Sequence, residues 1–293
     1  MQSHPTPPRS GRLDIIATPI GNLSDLSARA RESLANADVI AAEDTRRTLG
    51  LLQALGLSRP LVSLHAHNEA RRVPELLERL RAGAIVALVS DAGTPVLSDP
   101  GSLLVRSAAA AGIEVRPIPG PSAITAALAA AALATDRFCF EGFLPATGRE
   151  RLRCLQALAT EPRTLVFFEA PHRIGAALVD LATAFGSERR AAVARELTKV
   201  HETIYRGTLG ELAARALQEE TFRRGELTII VQGAPEAGGN AHLPELRRTV
   251  ELLSRELPPA KAAALAAQLT GATRKQAYAV ALEITRGAGD RGI

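Results

Sequence analysis

Along the chain, short apolar runs alternate with longer stretches whose apolar residues recur every three or four positions. The short runs are LDIIA (13–17), DVIAA (38–42), PLVSL (60–64), AIVALVS (84–90) and EVRPI (114–118). Between them lie helical patterns, such as Pro74–Ala82, where Leu76, Leu77 and Leu80 fall on one face. Strand, helix, strand, helix predicts an α/β layer architecture around a mostly parallel sheet. The rhythm repeats in RFCFEGF (137–143), TLVFFE (164–169), AAVARE (191–196), ETIYRGT (202–208) and LTIIVQG (227–233). The third and fourth of these are close enough to form a hairpin.

The pattern then changes. GAPEAGGNAHLP (233–244) reads as a linker by composition. Strand signals stop after it, and helical patterns run over about 245–256, 259–269 and 274–286. Pro258 and Pro259 end the first of these. Gly271 separates the other two, and Thr273 is placed to cap the last. The expected organisation is a flexible tail (1–11), an N-terminal α/β domain (12–120), a second α/β domain (121–235) and a small helical domain (244–288).

The chemistry is expected where the strands end. The first five runs lead into TPIGN (Thr18–Asn22), EDTR (Glu43–Arg46), HAHNE (His65–Glu69), SDAGTPVLSDPG (Ser90–Gly101) and PGPSA (Pro119–Ala123). In an open α/β sheet, ligands bind outside the carboxyl ends of the strands. The Ser90–Gly101 loop is the richest, with Gly and Pro to bend it and Asp91 and Asp99 to accept hydrogen bonds. EGFLP (141–145), EAPHR (169–173) and RELTK (195–199) would form a facing set in the second half, enclosing one cleft. TPIGN holds a single glycine, so the first turn lacks the G-x-G-x-x-G of a nicotinamide site. His65, His67 and Glu69 could ligate a metal, but capping or substrate-facing histidines are the preferred reading, and no metal is expected.

Composition narrows the classes. Of 293 residues, 46% are apolar and 23% charged, which is globular rather than disordered. Cys139 and Cys154 are the only cysteines, too few for a zinc ribbon or a disulfide framework. The opening MQSHPTPPRS has no apolar signal core, and the oily run 123–134 is too short to span a membrane. A soluble, cytoplasmic protein is expected. Net charge is +4, and among the cations only Lys199, Lys261 and Lys275 are not arginine. Arginine suits phosphate. Aromatics are 3%, which argues against base stacking as the main binding device.

The motifs IATPIGNLSD, AAEDTRRT, LHAHNE, LVSDAGTPVLSDPG, IPGPSA, FEGFLP, FFEAPHR and ARELTKVHET occur in that order. Together, over about 12–286, they resemble the ribosomal RNA small subunit methyltransferase I family of the tetrapyrrole methylase superfamily. TPIGN and SDAGTP stand where the corrin-making branch carries GxGxGD and GDP-type loops. The terminal helices resemble the helix-turn-helix appendage of the rRNA branch. The resemblance implies two α/β domains of the tetrapyrrole methylase type, with S-adenosylmethionine between them, and a homodimer. It implies 2′-O-methylation of a cytidine ribose in the decoding region of 16S rRNA. It places Ser90, Asp91, Ala92, Gly93, Thr94, Pro95, Ser122, Ala123 and Leu197 at the donor, with Glu169 close by. Alternatives are a methylase of a small tetrapyrrole-like substrate and a non-catalytic rRNA-binding assembly factor.

A ribose hydroxyl needs alignment with the methyl carbon and a group to lower its pKa. Strand-end candidates are Glu43, Asp44, Glu169, His172, Glu196 and Lys199. The favoured assignment has Lys199 or Arg173 holding a phosphate or the 2′-oxygen while Glu169 or Glu196 orients it. RNA contact is expected from arginines, including Arg46, Arg173 and Arg274, together with Lys275. Such contacts position rather than specify.

Overall fold

The computed structural model describes residues 11–235 and 243–289. The expected tail over 1–10 and the linker residues 236–242 lie outside the described residues. The chain forms two compact units, 1–233 and 234–293. In the first unit, β1 (Arg12–Ile16), β2 (Val39–Ala42), β3 (Leu61–Ser63), β4 (Ile85–Val89) and β5 (Glu114–Ile118) form one sheet, ordered β3-β2-β4-β1-β5. Every pairing in it is parallel. The crossovers carry α1 (Ala28–Asn36), α2 (Thr45–Ala54), α3 (Glu69–Arg81) and α4 (Ser102–Ala110).

Helices on both faces explain the unbroken oiliness of the central strands. In β4, Val86 and Leu88 pack with Leu76 and Leu80 of α3 and Leu104 of α4. Ala87 and Val89 face the other way, toward Leu34 of α1 and Leu52 of α2. Helix α3 begins one turn before Pro74, earlier than the sequence pattern suggests. Its first residue, Glu69, does capping work. The α4 N-cap is Gly101, at φ 113, which has no side chain to offer. One Glu69 carboxylate oxygen instead accepts from the amides of Gly101 (3.1 Å) and Leu103 (2.8 Å).

The second sheet comprises β6 (Phe138–Phe143), β7 (Thr164–Glu169), β8 (Arg190–Arg195), β9 (Thr203–Thr208) and β10 (Leu227–Val231), ordered β6-β7-β10-β8-β9. It is mixed. β6 and β7 are parallel, and β8 and β9 form the expected hairpin. β10 runs antiparallel between β7 and β8, an insertion that strand order along the chain does not reveal. One face packs on α6 (Gly148–Leu158), α7 (Ile174–Phe185) and α8 (Leu209–Gln218), around fully buried Phe167 and Phe222. The other packs on α5 (Ala123–Ala130), with Val166, Ala192 and Ile230 against Ile124, Ala127 and Leu128. Ile20, from the loop after β1, joins this second cluster and so ties the halves together.

The second unit holds α9 (Leu243–Leu253), α10 (Pro259–Thr270) and α11 (Arg274–Gly289). Small residues at the contact, Ala263, Ala266, Ala267, Ala277 and Ala281, pack with Leu246, Val250 and Val280. Thr273 caps α11 as its sequence position suggests: its hydroxyl accepts from the Gln276 amide at 3.3 Å, and Gln276 Oε1 accepts the Thr273 amide at 3.0 Å. Among the described residues no helix is long and apolar enough to cross a membrane.

Replacing Glu69 with Ala should lower unfolding free energy by about 1–2 kcal/mol, the scale of a lost helix cap. Urea denaturation measures it, and an unchanged midpoint would contradict the capping role.

Candidate active site

All five strands of the first sheet point one way, so their following loops gather at one edge. The loops are bonded to each other. Thr18 and Gly93 exchange backbone hydrogen bonds of 2.8 and 3.0 Å, joining the β1 and β4 loops. The Thr94 hydroxyl donates to the Pro121 carbonyl at 3.3 Å, joining the β4 and β5 loops. Asp91 accepts the Asp44 amide at 2.9 Å, joining β4 to β2. Val96 and Ser98 hold positive φ angles of 77° and 65°, as do Glu196 and Thr198 across the cleft at 52° and 67°. Strained backbone of this kind concentrates where geometry serves a function.

Between this edge and the second sheet lies a cavity of about 430 Å³. Of the residues assigned to the donor from sequence, Asp91, Ala92, Gly93, Thr94, Ser122, Ala123 and Leu197 line it. Ser90 and Pro95 are buried behind the wall. The Ser90 carbonyl there accepts from the Thr18 hydroxyl at 3.3 Å. Glu169 lines the cavity, paired with Arg173 at 3.1 Å. The Arg173 guanidinium also donates to the carbonyls of Leu144 and Pro145, the second at 2.9 Å. It therefore clamps two loops. Glu196 and Lys199 stand off the wall in a mutual ion pair of 2.7 Å, and Lys199 also meets Glu226 at 3.0 Å. Arg46 lies at the surface against Asp44 at 2.7 Å. Arg274 and Lys275 are exposed at the start of α11, in the other unit.

Five carboxylates line the cavity: Glu43, Asp91, Asp99, Glu169 and Glu226. Three have cations: Arg47 on Asp91 at 3.5 Å, Arg173 on Glu169, and Lys199 on Glu226. Among the described residues, Glu43 and Asp99 have no ion-pair partner. Burial, reinforced by Asp91, raises the Glu43 pKa. Burial raises Asp99 to about 6, with the Glu43 and Asp91 charges adding and a Ser90 hydrogen bond opposing. Glu169 is raised too, because its burial outweighs Arg173. Glu196 goes the other way: burial is overcome by the Lys199 hydrogen bond, which keeps it ionised. The wall is thus acidic, and Arg47 is its only cationic side chain among the described residues.

Ile20, Leu97 and Phe143 line the wall from loops the sequence reading placed at the cleft without singling them out, and Phe168, Gly225, Glu226 and Thr228 lie outside those loops. Phe143 ends one run that the reading identified and Phe168 is the last but one of another, so their position was available. Gly225 through Thr228 was not. They open an antiparallel strand, whose beginning meets the edge where parallel strands end.

Two facing α/β halves with one acidic, glycine-bent cavity at their strand ends define a class, and comparison with known proteins agrees. The tetrapyrrole (corrin/porphyrin) methylase family matches residues 12–213, and the chain belongs to it. The RsmI C-terminal HTH domain matches residues 240–285. A protein of Xylella fastidiosa named ribosomal RNA small subunit methyltransferase I is 55% identical over 92% of this chain and 98% of its own. One of that name from Escherichia coli O157:H7 is 48% identical over 97% of this chain and 99% of its own. Within the methylases, this chain therefore falls in the ribosomal RNA small subunit methyltransferase I family. In fold it is similar to the uroporphyrin-III-C-methyltransferase from Thermus thermophilus, at TM-score 0.55 and 21% identity, over 76% of this chain and 94% of that one.

The raised Asp99 carboxyl has a consequence for stability. An unfolded Asp titrates near 3.8 and the folded one near 6. The fold therefore binds this proton more tightly, and stability is lost as pH rises across that window. Asp99→Asn should melt above the wild type at about pH 7.5, with the gap closing by about pH 4. A gap independent of pH would contradict this.

Proposed function

We propose that the protein transfers a methyl group from S-adenosylmethionine to the 2′-oxygen of a cytidine ribose in the decoding region of 16S rRNA. The observation that carries this reading is the character of the cavity between the two sheets. Its volume suits a small molecule. Its wall combines small residues with five carboxylates and one arginine. A nucleotide with phosphates would find a hostile surface there. A donor bearing a sulfonium and an ammonium, and no phosphate, fits.

Bound there, the donor supplies a methyl carbon activated by the sulfonium. The protein's own work is alignment. Ala92, Gly93, Ser122 and Ala123 let a ligand approach the main chain closely. Asp91 and Asp99 accept hydrogen bonds from hydroxyl or amino groups, and Leu197 gives an apolar surface. The attacking hydroxyl must shed a proton. Glu43 and Asp99, raised in pKa by burial and without an ion-pair partner among the described residues, are placed to take it. Glu196 and Lys199 act at one remove, holding Glu226 in the wall.

The named relatives support rRNA as the substrate, and the C-terminal domain supports a nucleic-acid contact. Arg274 and Lys275, exposed at the α11 start, are assigned to phosphate. We place the reaction on the small subunit in the cytoplasm, carried out by a homodimer; both follow the family resemblance.

The test uses the purified protein, labelled S-adenosylmethionine and 30S subunits from cells lacking the modification. Mass spectrometry should find one new 2′-O-methylcytidine in the decoding region. A methyl on a tetrapyrrole, or on a base, would overturn the reading. No transfer with retained 30S binding would favour an assembly factor. In the same system, Arg274→Ala with Lys275→Ala should weaken 30S binding and lower the salt slope of log K by about 2, leaving donor affinity unchanged. An unchanged slope would remove these two residues from the RNA surface.

A further inference from the structure

Two apolar side chains at the cavity are not buried by the fold. Phe143 is 58% exposed and Leu97 is 45% exposed, yet both line the cavity. They come from opposite halves, Phe143 from the end of β6 and Leu97 from the long loop after β4. Their loops abut: a Cβ on Gly142 would stand 3.0 Å from the Ser98 hydroxyl. Phe143 is braced from behind. Its ring lies 5.5 Å from that of Phe168, which meets Phe140 edge-on at 4.9 Å. A braced aromatic ring with an open side is a ready stacking surface with little rotamer freedom to lose. Arg47, the wall's one cation among the described residues, has a side chain 65% exposed.

We propose that the Leu97–Phe143 rim seats the nucleobase of the acceptor nucleotide, with Arg47 meeting an adjoining phosphate. The inference rests on the RNA reading above and adds how the target is held. The base leaves its neighbours, lies against Phe143, and so brings its ribose to the mouth of the donor cavity. A base drawn out of its stack leaves its ribose free to turn toward the methyl carbon, at the cost of the stacking it gives up. An aromatic face recovers part of the lost stacking, and a guanidinium answers the phosphate. The deep acidic wall repels that phosphate, which keeps the nucleic acid at the rim. Few aromatics are needed, since one base is held.

The experiment measures methyl transfer to 30S subunits by wild type, Phe143→Ala, Phe143→Trp and Leu97→Ala, and S-adenosylhomocysteine affinity by calorimetry. Phe143→Ala should raise KM for the subunit roughly ten-fold, the scale of one lost base–aromatic stack. Leu97→Ala should raise it less. Phe143→Trp should restore it. Affinity for S-adenosylhomocysteine should stay unchanged in all, which also shows that the variants fold. A matching loss of S-adenosylhomocysteine affinity in Phe143→Ala would assign the rim to the donor and overturn the proposal. So would an unchanged KM. If the wild type methylates no RNA, the functional reading itself fails, an outcome distinct from either.

Discussion

The shared direction of the five strands in the first sheet is the constraint on which the site depends. Parallel strands cannot be joined by tight turns, so each must be followed by a crossover, and every crossover starts at the same edge. The loops after β1, β2, β4 and β5 are therefore neighbours before any ligand arrives. Their mutual bonds, Thr18 with Gly93, Thr94 with Pro121 and Asp44 with Asp91, convert adjacency into a fixed surface. The second sheet presents β7 and β8 to the same cleft because both run parallel to one another across the intervening β10.

Charge then divides the cavity's carboxylates into two kinds. Those paired with Arg47, Arg173 or Lys199 hold loops in place, and the clearest case is Arg173, which ties β7 to the loop after β6. Among the described residues Glu43 and Asp99 lack such partners, and burial raises both, as it also raises Glu169. Ion-paired and unpaired carboxylates thus lie within one wall. A wall of this sign favours a cationic small molecule and disfavours phosphate, so the nucleic acid must be met elsewhere: at the rim, and on exposed cations.

The apolar periodicity of the sequence carried most of the fold. β4 reads as a continuous oily run because helices cover both its faces, and the β8–β9 hairpin was visible in the short spacing of two strands. The capping of α11 by Thr273 was legible because it is local. Side-chain partnerships were not. The Lys199 pairs with Glu196 and Glu226, and the Arg173 bonds to the carbonyls of Leu144 and Pro145, form only through turns and distant strands. Glu69 looked available to a metal, but its true partners, the amides of Gly101 and Leu103, lie more than thirty positions away.

The sequence by itself determined the layers, the glycine- and proline-bent loops at the strand ends, and the family those ordered motifs mark. Each of these is a local property: periodicity, turn chemistry, or residue type at fixed spacing. Only the tertiary structure decided which residues share a wall. β10 inserts antiparallel between two strands that precede it in the chain, so its opening residues, Gly225 to Thr228, reach a cavity otherwise built from strand ends. It likewise brought Leu97 and Phe143 to one rim from opposite sheets. Pairing across a sheet and charge across a cleft depend on distance in space, which periodicity along a chain does not encode.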